Sequence, residues 1–173
     1  MFLKIVLPYT NEDVDTLYRL LGKALWHLQH LENIVASFTA FKILQAKREK
    51  GKKISEAFAK VILANQQRGT LGPIIGAAKQ HGSIPEPLAT RFERFLDERN
   101  WLIHRCVKSE YLSLRNSSSK DELFNRIENF SNEAVNLQNE IHALFEGWYE
   151  GKGYNLEEAY KLAEEQLKNA EQH

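Results

Sequence analysis

Apolar residues recur along this chain at steps of three and four, and nowhere alternate over a useful length, so the pattern predicts helices and no sheet. Glu12, Asp13 and Asp15 sit where acids favour a helix start. Leu17, Leu20/Leu21, Ala24/Leu25, Leu28, Leu31, Val35, Phe38 and Phe41 then carry one stripe through a long first helix, ending near Gln45 to Lys50, where Gly51 breaks it. Ser55 is placed to cap a second helix, Glu56–Gln67, whose Phe58, Val61, Ile62 and Ala64 are its candidates for burial. Thr70 opens a short third helix with Pro73 in its first turn, Leu71, Ile74, Ile75 and Ala78 on its inner face, and Gly82 at its end. A fourth helix is expected from about Glu86 to Leu112. Its stripe is Leu88, Phe92, Phe95/Leu96, Leu102/Ile103 and Cys106.

The tract Arg115–Lys120 reads as a loop, with Ser119 and Glu122 forming a capping box. The helix it opens has the most regular repeat in the chain: Leu123, Ile127, Phe130, Ala134, Leu137, Ile141, Leu144 and Trp148, spaced alternately by four and three, a bundle seam. Gly151 and Gly153 interrupt it. Asn155 with Glu158 makes another capping box for a last, acidic helix. No repeat at fixed spacing is present. The sum is an all-α, up-and-down bundle of about five or six helices, occupying residues 1–173 as one domain.

Composition narrows the class without changing that picture. At 43% hydrophobic and 27% charged residues the chain has the make-up of a globular protein rather than a disordered one. No apolar run reaches the length of a membrane span, and the M-F-L-K-I-V-L-P start is short for a signal peptide. The single cysteine, Cys106, excludes an internal disulfide and fits a reducing compartment, so a cytoplasmic location with no membrane association is expected. A net charge of zero argues against a general polyanion binder. Charge is nonetheless uneven: Lys42 to Arg68 holds eight Lys/Arg against two acids, and Asp121 to Glu171 twelve acids against four bases. The basic segment suits either a local RNA-facing surface or a solvated helix end and loop.

Candidate chemistry gathers on the fourth helix. Arg99 and His104, five apart, lie about 140° apart around a helix, while Asn100 and His104 share a face. An always-charged guanidinium beside an imidazole, a group that titrates near neutrality, is suited to phosphodiester chemistry: the one holds charge on phosphate oxygens, the other moves protons. The plainer reading pairs Arg99 with Glu98 or Asp97 and packs His104 at a helix end.

Arg99, the polar Asn100, three further residues and His104 match the R-[polar]-x-x-x-H pattern, usually written R-x(4–6)-H, and in this the chain resembles the HEPN-domain superfamily. The run Thr70–Gly76, T-L-G-P-I-I-G, is similar to one seen in bacterial members. The resemblance implies an all-α bundle, usually a homodimer, and a metal-independent endoribonuclease of the toxin–antitoxin or phage-defence type, needing no cofactor. It further implies His104 as acid or base, Arg99 as stabiliser of the pentacoordinate phosphate and Asn100 as its helper, with RNA and an antitoxin protein as partners. Arg94, Arg105 and Lys108 flank the motif as candidate RNA-backbone contacts. Where one branch of the family extends the motif to R-x4-H-x-Y, this chain has Cys106, and its next tyrosine is Tyr111. That puts adenylylation of a motif tyrosine in doubt.

Other sites are weaker. His27 and His30, three apart, have metal-ligand spacing, but no H-E-x-x-H or cysteine pair supports them. Cys106 lies roughly 200° around the helix from His104, poor geometry for a nucleophile pair. Phe92, Phe95, Trp101 and Trp148 read better as core or dimer contacts than as base-stacking platforms. The alternative function is a non-catalytic interaction module that uses the Leu123–Trp148 seam and the motif helix to bind a partner.

Overall fold

The longest helices set the frame. The computed structural model describes residues 10–106, 117–153, 155 and 157, which contain five helices and no strand. These are α1 (Asn11–Glu49), α2 (Glu56–Gln67), α3 (Leu71–Gln80), α4 (Glu86–His104) and α5 (Ser117–Glu150). At 1.5 Å per residue α1 is about 58 Å long and α5 about 51 Å. They lie side by side and run parallel. Asp13 meets Lys120, His27 meets Ser131, Phe38 meets Phe145 and Glu49 meets Lys152, so both chains advance together. Helix α4 runs the other way along α5, with Arg91 against Glu133 and Glu140, Phe95 on Phe130, and Glu98 on Arg126. The direction thus alternates α1, α4, α5, while α3 packs on both α1 and α4, and α2 lies along α1.

The expected α5 seam is the spine of the core. Leu123, Ile127, Phe130, Ala134, Leu137 and Ile141 are all buried, and Leu144 and Trp148 pack on its margin. Helix α1 fills it with Ala24, Leu28, Leu31, Val35 and Phe38. That use within the chain removes the seam as a surface for a partner. Leu25 and Phe41, expected on the α1 stripe, are instead 39% and 46% exposed. Ala36, Ala40 and Ile43 are buried in that stretch, so the inner face of α1 turns away from the expected line toward its C-terminal end.

The helix ends follow local chemistry, with corrections. Thr10 caps α1 through a reciprocal box: its Oγ1 accepts the Asp13 N–H at 3.1 Å and Asp13 Oδ2 accepts the Thr10 N–H at 3.0 Å. Gly51 (φ 75°) and Gly82 (φ 61°) close α1 and α3 by Schellman turns, the latter through Gly82 N–H to Lys79 O and Ser83 N–H to Ala78 O. Ser55 caps α2 as expected, accepting from the Phe58 N–H at 3.2 Å. None of the residues of α2 is fully buried, however, and Phe58 and Val61 are 38% and 54% exposed. Among the described helices α2 packs mainly on α1, and Phe58 and Val61 lie off that contact. Thr70 occupies the N-cap of α3 without making a side-chain cap bond. Glu32, from α1, accepts the Leu71 N–H there at 3.0 Å. Ser119 lies inside α5, which begins at Ser117, so the expected capping box at Ser119 is not formed. Asn155 Oδ1 does accept the Glu157 N–H at 2.9 Å, while Glu158 and the expected last helix lie outside the described residues.

Candidate functional site

Helix α4 ends about eight residues before the expected end at Leu112. It stops at His104, and Arg105 leaves the helical region (φ −122°, ψ −26°) while its N–H still bonds Trp101 O. His104 is therefore the last residue of α4 rather than a mid-helix one. Lys108, Tyr111 and the expected helix end at Leu112 lie outside the described residues.

Along α4 the buried line runs Leu88, Phe92, Phe95 and Leu102, and buried Cys106 follows just past its end. Arg99 falls on that same line: the spacing Leu88, Phe92, Phe95, Arg99, Leu102, Cys106 is 4-3-4-3-4, a seam position held by a cation. Its side chain is half-buried, and its Nε is buried with no hydrogen-bond partner among the described residues. A buried guanidinium donor without an acceptor costs free energy on the order of 1–3 kcal/mol, more than a neutral group would. Arg99 Nη1 donates to Asn100 Oδ1 at 3.3 Å. Asn100 thus touches the arginine, not the imidazole.

Neither acid expected beside Arg99 pairs with it among the described residues. Arg126, from α5, holds Glu98 with two bonds of 2.9 and 3.0 Å while its guanidinium lies 3.7 Å from the centroid of the Trp101 ring. Asp97 is exposed and makes no bond to Arg99 among the described residues. Arg126 was not legible as a neighbour of the motif. It is 27 residues from Arg99 in sequence, on a helix whose direction relative to α4 no local pattern specifies.

His104 and Asn100 are exposed on the outer edge of α4, and so is Ile103, at 41%, where the sequence had placed it as an alternative core residue. Arg94 is exposed about 15 Å along the axis from His104, and Arg105 is exposed at the helix end. Arg99, Asn100, His104 and Arg105 are thus brought to one end of α4, and Arg94 stands apart. Cys106 is buried, sealed from the open imidazole.

The aromatic residues fall as the core reading has them: Phe92, Phe95 and Trp101 are buried, with Phe95 stacked on Phe130 at 4.5 Å, and Trp148 is partly buried. His27 Nδ1 sits 2.9 Å from Ser131 Oγ, bridging α1 to α5, and His30 rests on Trp26, ring to ring at 4.8 Å. The two histidines serve separate contacts.

No family model, curated protein or solved structure matches this chain.

Proposed function

We propose that the chain is a metal-independent endoribonuclease of the HEPN type, working as a homodimer. The observation that carries this reading is a half-buried guanidinium on a seam position whose inward donor is unpaired, five residues before an exposed imidazole. Both acids next to Arg99 in sequence leave it alone, Glu98 because Arg126 holds it. A cation kept in that condition is suited to an acceptor from outside, and a phosphate supplies oxygens at its geometry.

In this reading the ribose 2′-oxygen attacks phosphorus and the bond to the 5′-oxygen breaks. One His104 takes the 2′-hydroxyl proton and the other, protonated, gives its proton to the departing 5′-oxygen. The products are a 2′,3′-cyclic phosphate and a 5′-hydroxyl. Arg99 stabilises the charge on the pentacoordinate phosphate, with Asn100 setting the guanidinium. Because one imidazole cannot fill both proton roles in a single step, two α4 ends meet across a two-fold axis, and exposed Ile103 gives that contact an apolar member. Arg105, exposed at the helix end, and Lys108 are the candidate contacts for the RNA backbone. An antitoxin protein would be the partner that masks this groove.

The test is purified protein with single-stranded RNA in excess chelator. Fragments with cyclic-phosphate ends are expected, with DNA intact for want of the 2′-hydroxyl. His104→Ala and Arg99→Ala should each lower the rate by roughly 10²-fold or more. RNA left whole by the parent protein, or cut equally by His104→Ala, ends this reading. Growth arrest on expression, relieved by the same substitutions, is the cellular counterpart.

A further inference from the structure

At the opposite end of the bundle, where α1 stops at Gly51 and α5 nears Glu150, a groove of about 750 Å³ opens. The Schellman turn at Gly51 folds the basic run back on the helix end, so Arg48, Lys52 and Lys53 line this groove together with Phe41, Trp148 and Tyr149. Arg48, Lys52 and Lys53 are exposed, and their side chains pair with no acid among the described residues. Glu49, the acid within the turn, is already held by Lys152 at 2.7 Å and Gln45 at 3.2 Å. The aromatic wall is continuous. Phe145 meets Phe41 at 5.4 Å and lies stacked with Trp148 at 6.3 Å, between centroids. Lys42 Nζ stands 5.4 Å from the Trp148 centroid and 5.7 Å from that of Phe38. Burial pushes the Lys42 ammonium below its ordinary pKa, and the like charge of Lys152 adds to this against the opposing pull of Glu49. Positive charge is in surplus here, in a chain whose net charge is zero.

Unpaired cations around flat, partly open rings match one ligand chemistry best: phosphates on a backbone and bases free to stack. We propose that this groove holds single-stranded nucleic acid, a base lying on Phe41 and Trp148 and consecutive phosphates facing Arg48, Lys52 and Lys53. Paired bases hide their faces, so a duplex gains only the charge contacts. The site is separate from the motif. Trp148 is 22 residues beyond Arg126 on α5, about 33 Å along the helix. The groove stands or falls without the nuclease reading.

A labelled oligodeoxythymidylate of about a dozen nucleotides (a length within the range of one stacking groove) separates the two, because it lacks the 2′-hydroxyl that cleavage needs. Fluorescence anisotropy at low salt should show binding that weakens as salt rises. Replacing Arg48, Lys52 and Lys53 together with Ala should lower affinity at least tenfold and reduce the slope of log K against log salt by about 2, three single-strand contacts' worth. Phe41→Ala, a partly exposed position, should weaken binding roughly fivefold or more with the slope unchanged. Circular dichroism confirms that each variant is folded. The proposal is overturned if the oligonucleotide does not bind, if the triple variant binds like the parent, if duplex is preferred, or if polyglutamate competes as well as nucleic acid. DNA binding that persists while RNA stays uncut keeps the groove and discards the nuclease. RNA cleavage with no oligonucleotide binding does the reverse.

Discussion

Two lines of residues with the same three–four spacing have opposite fates. On α5 every position of the line from Leu123 to Ile141 is apolar and buried, and α1 fills the other side. On α4 the corresponding line carries Arg99 between Phe95 and Leu102, half-buried and, among the described residues, unpaired at Nε. The first arrangement is what packing alone would select. The second costs stability, so something other than packing retains it, and an exposed imidazole one turn and a half farther on suggests what. The bundle's strength lies in one line, and its candidate chemistry interrupts the other.

The largest expected effect tests the α5 line. Leu137→Ala, at a position with no exposure, should cost about 2–5 kcal/mol through lost burial and the cavity left behind, read as a lower urea midpoint. Next comes Arg99→Leu, which restores an apolar α4 line. Cleavage of RNA should fall roughly 10²-fold or more, while the urea midpoint holds or rises by about 1 kcal/mol. If Arg99→Leu destabilises the protein as much as Leu137→Ala does, the contrast between the two lines is wrong. Arg126→Ala should cost about 1 kcal/mol, since its pair with Glu98 is over 40% exposed and its contact with Trp101 is the rest. It also frees Glu98 to reach for Arg99, so cleavage should drop. An unchanged rate would separate Arg126 from the site.

The smallest effect concerns the junction that holds the starts of α1 and α5 together. Lys120 bonds Asp13 at 2.7 Å and, with the bonds from Thr10, lowers the Asp13 carboxyl from 3.8 to about 2. Between those values the unfolded chain binds the proton and the folded one does not, so stability rises with pH across the window. The contribution is complete above about pH 4 and is lost as pH falls through about 2. Asp13→Asn should therefore narrow its stability gap to the parent as an acid titration, followed by circular dichroism, passes down through that range. A gap that stays constant to pH 2 would show that Asp13 is not held this way.

Much of this was legible in the chain, because helices announce themselves through spacing. The α5 seam, the inner face of α3 and the stop at Gly51 all rest on contacts between residues three to five apart. What misled was one-sided. Phe58, Val61, Phe41 and Leu25 look like core by type and spacing, yet periodicity shows only that a face is apolar, not that anything covers it. The break at Arg105 was hidden because the apolar stripe continues through Cys106 across a non-helical residue. The seam position of Arg99 could have been found by counting 4-3-4 steps from Leu88, and would have marked it as the anomaly before the R-x4-H spacing did.

By itself the sequence determined the helical segments, the cap at Ser55, the stops at Gly51 and Gly82 and the R-x4-H spacing, since each depends on neighbours within about a turn of one another. Only the tertiary structure decided that α1 and α5 run parallel, that Glu32 caps α3, and that Arg126 rather than Arg99 holds Glu98. Those pairings join residues 28 to 107 apart, and which distant partner reaches a given charge first is set by how the helices stack, not by anything written beside the residue itself.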